Sequence, residues 1–130
     1  MTIIKDIRAF TVESSSKSSD YTSQPKGHWI TDTLVANPMA IYPEYRGSRT
    51  SWGIGILGSV VVEVELENGV IGVGISTAGH PGCWLIEHHL KQFAIGQNVT
   101  NVEMIWDQMW RASMPYGRKG ITIHAISAID

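Results

Sequence analysis

The chain has 130 residues, a length typical of one domain with its own hydrophobic core. Hydrophobic residues make up 43% of it, charged residues 17%, and the formal net charge is −2. Without a net positive charge or a basic run, the sequence gives no case for nucleic acid or an anionic membrane as a partner. The charged fraction is below the typical value of about 25%, which favours a surface partly covered by another domain or subunit. A homo-oligomer is also expected.

The sequence also bears on the cellular location of the protein. No apolar run approaches the ~20 residues that a membrane-spanning helix needs. The stretch from Met1 to Asp6 lacks the apolar segment of a signal peptide. Cys83 is the single cysteine, so no intrachain disulfide can form. We expect a cytoplasmic location.

The first predicted element is a strand over residues 2–12, where apolar and charged residues alternate imperfectly. Residues 13–56 follow without a convincing helix or strand, and Pro25, Pro38 and Pro43 interrupt them. Because a loop this long inside a compact domain is usually a lid or a binding loop, we interpret residues 13–56 as a substrate loop.

A β-hairpin is the strongest local signal. Residues 59–67 alternate apolar side chains with glutamates, and Asn68-Gly69 predicts a type I′ turn. The return strand, residues 70–75, places its apolar side chains on one face and glycines on the other. The apolar positions of the two strands are Val60, Val62, Val64, Leu66, Ile71, Val73 and Ile75.

Three helices are predicted after the hairpin. The first has Pro81 in its first turn and runs to about Ile95, before Gly96. Thr100 and Glu103 have the spacing of a capping box for the second helix, whose apolar stripe includes Trp106. Since three strands precede three helices without alternation, we predict an α+β fold in which a three-stranded antiparallel sheet is followed by three helices.

The last helix carries Ile121, Ala125, Ala128 and Ile129 at helical spacing, but no Gly, Asn or Pro closes it before Asp130. A carboxylate there lies at the negative end of the helix dipole, which is mildly unfavourable. We therefore expect residues 1–130 to be one domain of a longer protein.

Several motifs do not support a function of their own. Residues 53–58 match G-x-G-x-x-G, yet a dinucleotide fingerprint follows a strand and opens a helix, whereas this one precedes a strand. His80, Cys83 and Glu87 could be spaced as metal ligands, but a lone cysteine is more often a small buried hydrophobe. His88 and His89 point about 100° apart on a helix and are interpreted as solvent-facing.

The long loop concentrates the residues that could bind a small anion. His28, Tyr45, Arg49 and Trp52 lie in it, and the planar fork of an Arg holds a carboxylate with two hydrogen bonds. The alternative is that Arg46 and Arg49 are ordinary solvated residues, since charge in a loop is usually solvated.

Many segments of the chain resemble the N-terminal region of L-rhamnonate dehydratases, in the mandelate racemase branch of the enolase superfamily. The match covers nearly the whole chain and includes His28-Trp29-Ile30, Asn37-Pro38-Met39, Tyr45 to Gly53, Leu57 to Val64, Asn68-Gly69, Ser76 to Gly79, Gly82-Cys83, Trp106 to Met109 and Ala125 to Asp130.

The resemblance implies an α+β capping domain that lies over the mouth of a C-terminal (β/α)-barrel, which is absent from this chain. It further implies dehydration of an acid sugar, with removal of the proton α to the carboxylate and elimination of the β-hydroxyl. The Mg²⁺ ligands and the catalytic base would lie on the barrel, so no catalytic or metal-binding residue is expected here, and the chain alone is expected to be inactive.

Two substrate-binding residues carry over from the resemblance. Arg49 matches a substrate-binding Arg of the family pattern. Bacterial members have a His after Asp-Tyr in the first loop, but Thr22 follows Asp20-Tyr21 here, so His28 is the candidate substitute.

Two alternatives stay open at this point. The departure at Thr22 is compatible with dehydration of a different acid sugar. From a different class, the chain could be a non-catalytic binding or assembly module.

Overall fold

The computed structural model describes residues 1–12, 34–35, 38–46 and 57–130. The chain divides into two compact units, one of Met1–Glu13 with Leu57–Asp130 and one of Ser14–Ile56. Within the described ranges, no helix has the length and apolar character needed to cross a membrane.

The larger unit confirms the predicted α+β fold. Its antiparallel sheet has the order β1-β2-β3, and three helices follow the strands. The strands are β1 (Ile4–Val12), β2 (Ser59–Leu66) and β3 (Ile71–Ser76), and the helices are α1 (Gly79–His88), α2 (Val102–Ala112) and α3 (Ile121–Ile129).

The predicted hairpin is present, but its predicted turn type is wrong. A type I′ turn needs positive φ at both central residues, and among the described residues only glycines have positive φ, Gly69 with +84°. Gly69 N–H donates to the Leu66 carbonyl (2.9 Å), and the Asn68 side-chain oxygen accepts Val70 N–H (3.1 Å). The connection is thus a longer loop with a single left-handed glycine, and the Asn68 side chain stabilises it through Val70 N–H.

The imperfect alternation in β1 has a structural cause. The register of β1 against β2 shifts between Ile4 and Asp6. As a result Ile4 and Ile7, three residues apart, both lie buried on the inner face of the sheet. A bulge of this kind reverses the facing of the residues on one side of it.

The core lies between the inner face of the sheet and the helices. Val60 and Val62 are completely buried there, as the hairpin pattern predicted. The largest completely or almost completely buried apolar side chains of this unit are Ile7, Val60, Val62, Ile86, Leu90, Met109 and Ile126.

Two glycines allow backbone segments to approach closely. Gly74 lies on the inner face of β3, where an added Cβ would overlap the Ala128 carbonyl of α3. Gly79 has φ +52°, and a Cβ there would overlap the Leu57 carbonyl. Helix α3 can therefore lie on β3, and α1 can start beside residue 57, only because glycine has no side chain at these two positions.

Two predicted helix boundaries are wrong. Helix α1 ends at His88, where His89 leaves the helical conformation, and a short 3₁₀ turn (Leu90–Phe93) follows. Helix α2 begins at Val102 after Asn101, without a side-chain cap, so the predicted capping box of Thr100 and Glu103 is not formed. The Asn98 side chain accepts Thr100 N–H (3.2 Å), which stabilises the turn before the helix.

The outer edge of β1 is covered along much of its length. Residues 96–99 pair with residues 2–4, with Gly96 N–H donating to the Ile4 carbonyl and Ile4 N–H to the Gln97 carbonyl (both 2.9 Å). Further along, Glu87 Oε1 accepts Ala9 N–H (2.7 Å), while Lys91 Nζ contacts the Ile7 carbonyl (3.4 Å). Glu87 and Lys91 also pair with each other (2.5 Å). We call this pair the edge clamp, because it occupies main-chain groups that an edge strand leaves unpaired.

Replacement of Gly74 by Ala should destabilise the protein by about 1–3 kcal/mol, because the new Cβ would force α3 away from the sheet. Gly72→Ala is the matched control, since Gly72 lies on the same face of β3 and a Cβ there would meet nothing within 4 Å. Urea unfolding would measure both. Equal stability of the two variants would contradict the close approach of α3.

The edge clamp predicts a dependence of stability on pH. Burial raises the pKa of Glu87, but the hydrogen bonds from Lys91 and Ala9 N–H outweigh it, so the pKa lies below the ordinary 4.5. Ionised Glu87 therefore stabilises the fold above about pH 4.5, and this contribution disappears as the pH falls through the lowered pKa.

Glu87→Ala should cost about 1 kcal/mol at pH 7, because Ala9 N–H loses its acceptor. Glu87→Gln should cost less, since an amide oxygen can still accept that bond. The stability gap between the wild type and Glu87→Gln should shrink between about pH 5 and pH 3, as followed by urea midpoints. A gap that stays constant over that range would count against the clamp.

Candidate functional site

The two predicted substrate-binding residues, Arg49 and His28, lie outside the described residues. Thr22 and Trp52 lie outside them as well. Their roles stay predictions, and the described geometry bears on the residues around them in the chain.

The described part of the long loop is a double turn just before Arg49. Two 3₁₀ segments, Pro38–Ile41 and Pro43–Tyr45, each begin with a proline, whose fixed φ suits a first helical position. Arg46 Nε donates to the Ala40 carbonyl (3.3 Å) and so ties the end of the second turn to the first. Arg46 thus has a structural partner inside this segment, which separates its role from the one predicted for Arg49.

The double turn also presents aromatic side chains. Tyr42 and Tyr45 are both exposed, and each tyrosine carries a hydroxyl that can donate or accept a hydrogen bond. An aromatic surface with hydroxyl groups beside an arginine suits a polyhydroxylated anion. Tyr45 is one of the loop residues that the sequence indicated as candidates for binding a small anion.

A polar cluster that the sequence analysis did not identify lies where β3 ends. His124 Nδ1 of α3 is 3.3 Å from Ser76 Oγ and 3.4 Å from Thr77 Oγ1. The contacts are long and exposed, and no carboxylate in the described ranges pairs with His124. This geometry orients the imidazole but does not activate a hydroxyl as a nucleophile.

An aromatic groove of about 710 Å³ is lined by α1, the Met114–Tyr116 turn and the start of α3. His89 Nδ1 lies 2.7 Å from the Tyr116 hydroxyl at one side of it. His88 stacks on Trp84 with ring centroids 4.6 Å apart. The two histidines diverge as predicted, but His89 is half-buried against Tyr116, so its interpretation as solvent-facing is wrong.

The possible metal ligands around α1 do not form a site. Glu87 is occupied by Ala9 N–H and Lys91, and in the described ranges no three His, Cys, Asp or Glu residues converge on a point. Burial, and then the neighbouring Glu87 carboxylate, raise the pKa of the Cys83 thiol. A protonated thiol is a poor nucleophile and a poor metal ligand.

The glycine-rich segment that ends at Gly58 does not have the context of a dinucleotide site. Gly58 has φ +73° and leads directly into β2, not into a helix. The helix that directly follows a dinucleotide fingerprint is therefore missing at this position. This agrees with the interpretation from the sequence.

No protein-family profile matches the chain. The L-rhamnonate dehydratase of Saccharopolyspora erythraea is 54% identical over 127 residues, which are 98% of this chain and 32% of that protein. The crystal structure of rhamnonate dehydratase from Gibberella zeae complexed with Mg is 42% identical, with a TM-score of 0.78 over 98% of this chain and 31% of that one.

A more distant structure shows the fold alone. The mandelate racemase/muconate lactonizing protein of Paracoccus denitrificans PD1222 has a TM-score of 0.59 at 15% identity, over 99% of this chain and 25% of that one. The chain spans about a third of the length of the dehydratases that it matches. Over almost its whole length it corresponds to the N-terminal third of L-rhamnonate dehydratases and has the α+β fold of their capping domain.

Proposed function

We propose that this chain is the substrate-capping part of an acid-sugar dehydratase and that the acid sugar is L-rhamnonate. The observation that carries the proposal is the 54% identity to an L-rhamnonate dehydratase across 98% of the chain. The similarity to the crystal structure of a rhamnonate dehydratase, with a TM-score of 0.78 at 42% identity, also supports it. In this proposal the partner of the chain is a C-terminal barrel domain of the same protein.

The described carboxylates do not fit an Mg²⁺ site. Three carboxylates near the sheet are already in ion pairs, Glu63 with Arg8, Glu65 with Lys5 and Glu87 with Lys91, and Asp6 accepts Ile7 N–H. No three ligands converge within the described ranges. We therefore propose that residues of the barrel domain bind the Mg²⁺ that the related structure contains.

The contribution of this chain is to bind the substrate and exclude water. We assign residues 13–56 as the loop that closes over the acid sugar, with Arg49 holding its carboxylate or a neighbouring hydroxyl through a two-pronged hydrogen bond. His28 is assigned to the same pocket as a hydrogen-bonding partner. Proton abstraction α to the carboxylate and loss of the β-hydroxyl would then proceed on groups of the barrel.

The proposal also includes the cellular location and the oligomeric state of the enzyme. The absence of a disulfide, with Cys83 as the single cysteine, suits the cytoplasm. The low charged fraction of 17% suits a subunit of a homo-oligomer.

Thr22 supports a second candidate, a dehydratase of another acid sugar. The related pattern places a His at this point of the loop, and a threonine hydroxyl offers a shorter, uncharged contact. Such a change would alter which substrate hydroxyl is recognised while leaving the chemistry of elimination intact.

A chimeric enzyme tests the proposal. The chain replaces the aligned 127-residue region of the Saccharopolyspora erythraea relative, and turnover is measured on a panel of acid sugars with Mg²⁺. We expect dehydration of L-rhamnonate by the chimera and none by the 130-residue chain alone. A preference for another acid sugar would favour the second candidate, and a folded chimera inactive on all of them would overturn the proposal.

In the active chimera, Arg49→Ala should lower kcat/KM for L-rhamnonate at least ~10-fold, a loss of about 1.4 kcal/mol of transition-state binding. Arg49→Lys should not restore it, because lysine lacks the planar fork. His28→Ala should have a smaller effect.

The matched control is Arg111→Ala. Arg111 pairs with Asp107 on the exposed side of α2 (2.7 Å), so its loss should leave kcat/KM within about twofold. If Arg49→Ala behaves like this control, Arg49 is an ordinary solvated loop residue.

A further inference from the structure

The chain leaves the sheet for residues 13–56 and returns to it at the same end. Strand β1 ends and β2 begins there, because Val12 is opposite Ser59 in the register. Strand β3 ends beside them, since its last residue, Ser76, is opposite Val60. The segment that follows β3 is therefore next to the point at which the substrate loop rejoins the sheet.

The returning chain lies against the start of α1. Gly58, with φ +73°, turns the chain from Leu57 into β2. The Leu57 carbonyl occupies the space that a side chain at Gly79 would need, and Gly79 is buried with φ +52°. Two main-chain segments thus touch here, and their contact depends on the absence of a Cβ at position 79.

The start of α1 has no room to move aside. Ala78 is completely buried, and a Cβ at Gly82 would overlap the Ala78 Cβ and lie 3.9 Å from the Ala125 Cβ of α3. This first turn is thus already at van der Waals distance from its neighbours in a close-packed core. A side chain at Gly79 would therefore displace Leu57 instead of α1, by roughly 2 Å.

We propose that Gly79 is a positioning residue for substrate binding, because it fixes the place at which the loop returns and thereby the position of Arg49. The inference rests on the proposed function, in which Arg49 holds the substrate. Arg49 precedes Leu57 by eight residues, so a displacement of Leu57 is passed along a short connection. A misplacement of about 1 Å, caused far from the chemistry, can cost on the order of 100-fold in rate.

Two other glycines provide matched controls. A Cβ at Gly74 would also overlap a main-chain carbonyl, but that carbonyl belongs to Ala128 of α3 and not to the end of the loop. Gly120 precedes α3 with φ +59°, close to the value at Gly79, and a Cβ there would meet nothing within 4 Å. Gly74→Ala thus reproduces the steric overlap, and Gly120→Ala reproduces the backbone strain.

The chimeric enzyme provides the first measurement. Gly79→Ala should lower kcat/KM for L-rhamnonate at least ~10-fold, because Leu57 is displaced. Gly74→Ala and Gly120→Ala should stay within about twofold of the unchanged chimera, at a temperature at which urea midpoints show all variants to be folded. Equal losses in Gly79→Ala and in either control would overturn the proposal, since overlap or strain alone would then account for the effect.

A double-mutant cycle tests whether Gly79 acts through Arg49. In the Arg49→Ala chimera, Gly79→Ala should lower kcat/KM by less than ~3-fold, because the group that it positions is already missing. A loss as large as that in the unchanged chimera would mean that the two effects are independent, and the positioning role would be wrong.

Trypsin cleavage after Arg49, followed by mass spectrometry, is a readout that needs no turnover. Cleavage requires local opening of the chain, so Gly79→Ala should raise its rate at least ~3-fold and Gly120→Ala should leave it unchanged. An unchanged rate in Gly79→Ala contradicts the inference. A folded chimera without turnover overturns the proposed function instead, and the cleavage rates still decide whether Gly79 fixes the loop.

Gly58→Ala replaces Gly79→Ala if that variant does not fold. A Cβ at Gly58 would meet nothing within 4 Å, but φ +73° strains an alanine and shifts the same junction at Leu57. Its loss of kcat/KM should likewise shrink in the Arg49→Ala chimera. A loss that does not shrink, or no loss at all, overturns the proposal.

Discussion

The close approach of α3 to β3 determines both faces of this domain. Gly74 removes the side chain that would otherwise overlap the Ala128 carbonyl, so the helix can lie directly on the strand. Because side chains alternate along a strand, glycines on the inside oblige the apolar residues of β3 to point outward. One steric requirement therefore explains the tight helix–sheet contact and the apolar outer face together.

The edge clamp uses charged residues to pair main-chain groups at the edge of β1. The outward N–H and carbonyl groups of β1 would be unpaired at the edge, and the i, i+4 pair of Glu87 and Lys91 satisfies one of each. The same contacts occupy the Glu87 carboxylate, whose spacing with His80 and Cys83 had suggested a metal ligand. The charged side chains of Glu87 and Lys91 thus have a structural role in this part of the chain.

The sequence predicts the elements of this fold better than their ends. Strand alternation identified β2 and β3 and the faces of their side chains, since a period of two is unambiguous over eight residues. The predicted turn type at Asn68 and the predicted cap at Thr100 were wrong for the same reason. Short polar side chains can hydrogen-bond to the nearby main chain in several ways, and the surrounding residues determine which hydrogen bond forms. The break at His89 follows from contacts distant in sequence, such as Tyr116, which no local pattern contains. The contact of His124 with Ser76 likewise joins residues 48 positions apart.

The predicted site is harder to derive from the sequence. The distinction between its two arginines depends on side-chain contacts more than on residue spacing. Within the loop, Arg46 and Arg49 are three residues apart and look equivalent by composition, but the hydrogen bond from Arg46 to Ala40 assigns one of them a local structural role. A guanidinium that holds its own turn is poorly placed to follow a substrate, because moving it would release the turn. Position 49 has no such assignment from local pattern, and resemblance to the dehydratases singles it out. The hydrogen bond from Arg46 thus divides the two arginines: Arg46 has an observed structural contact, and Arg49 remains the proposed substrate-binding residue.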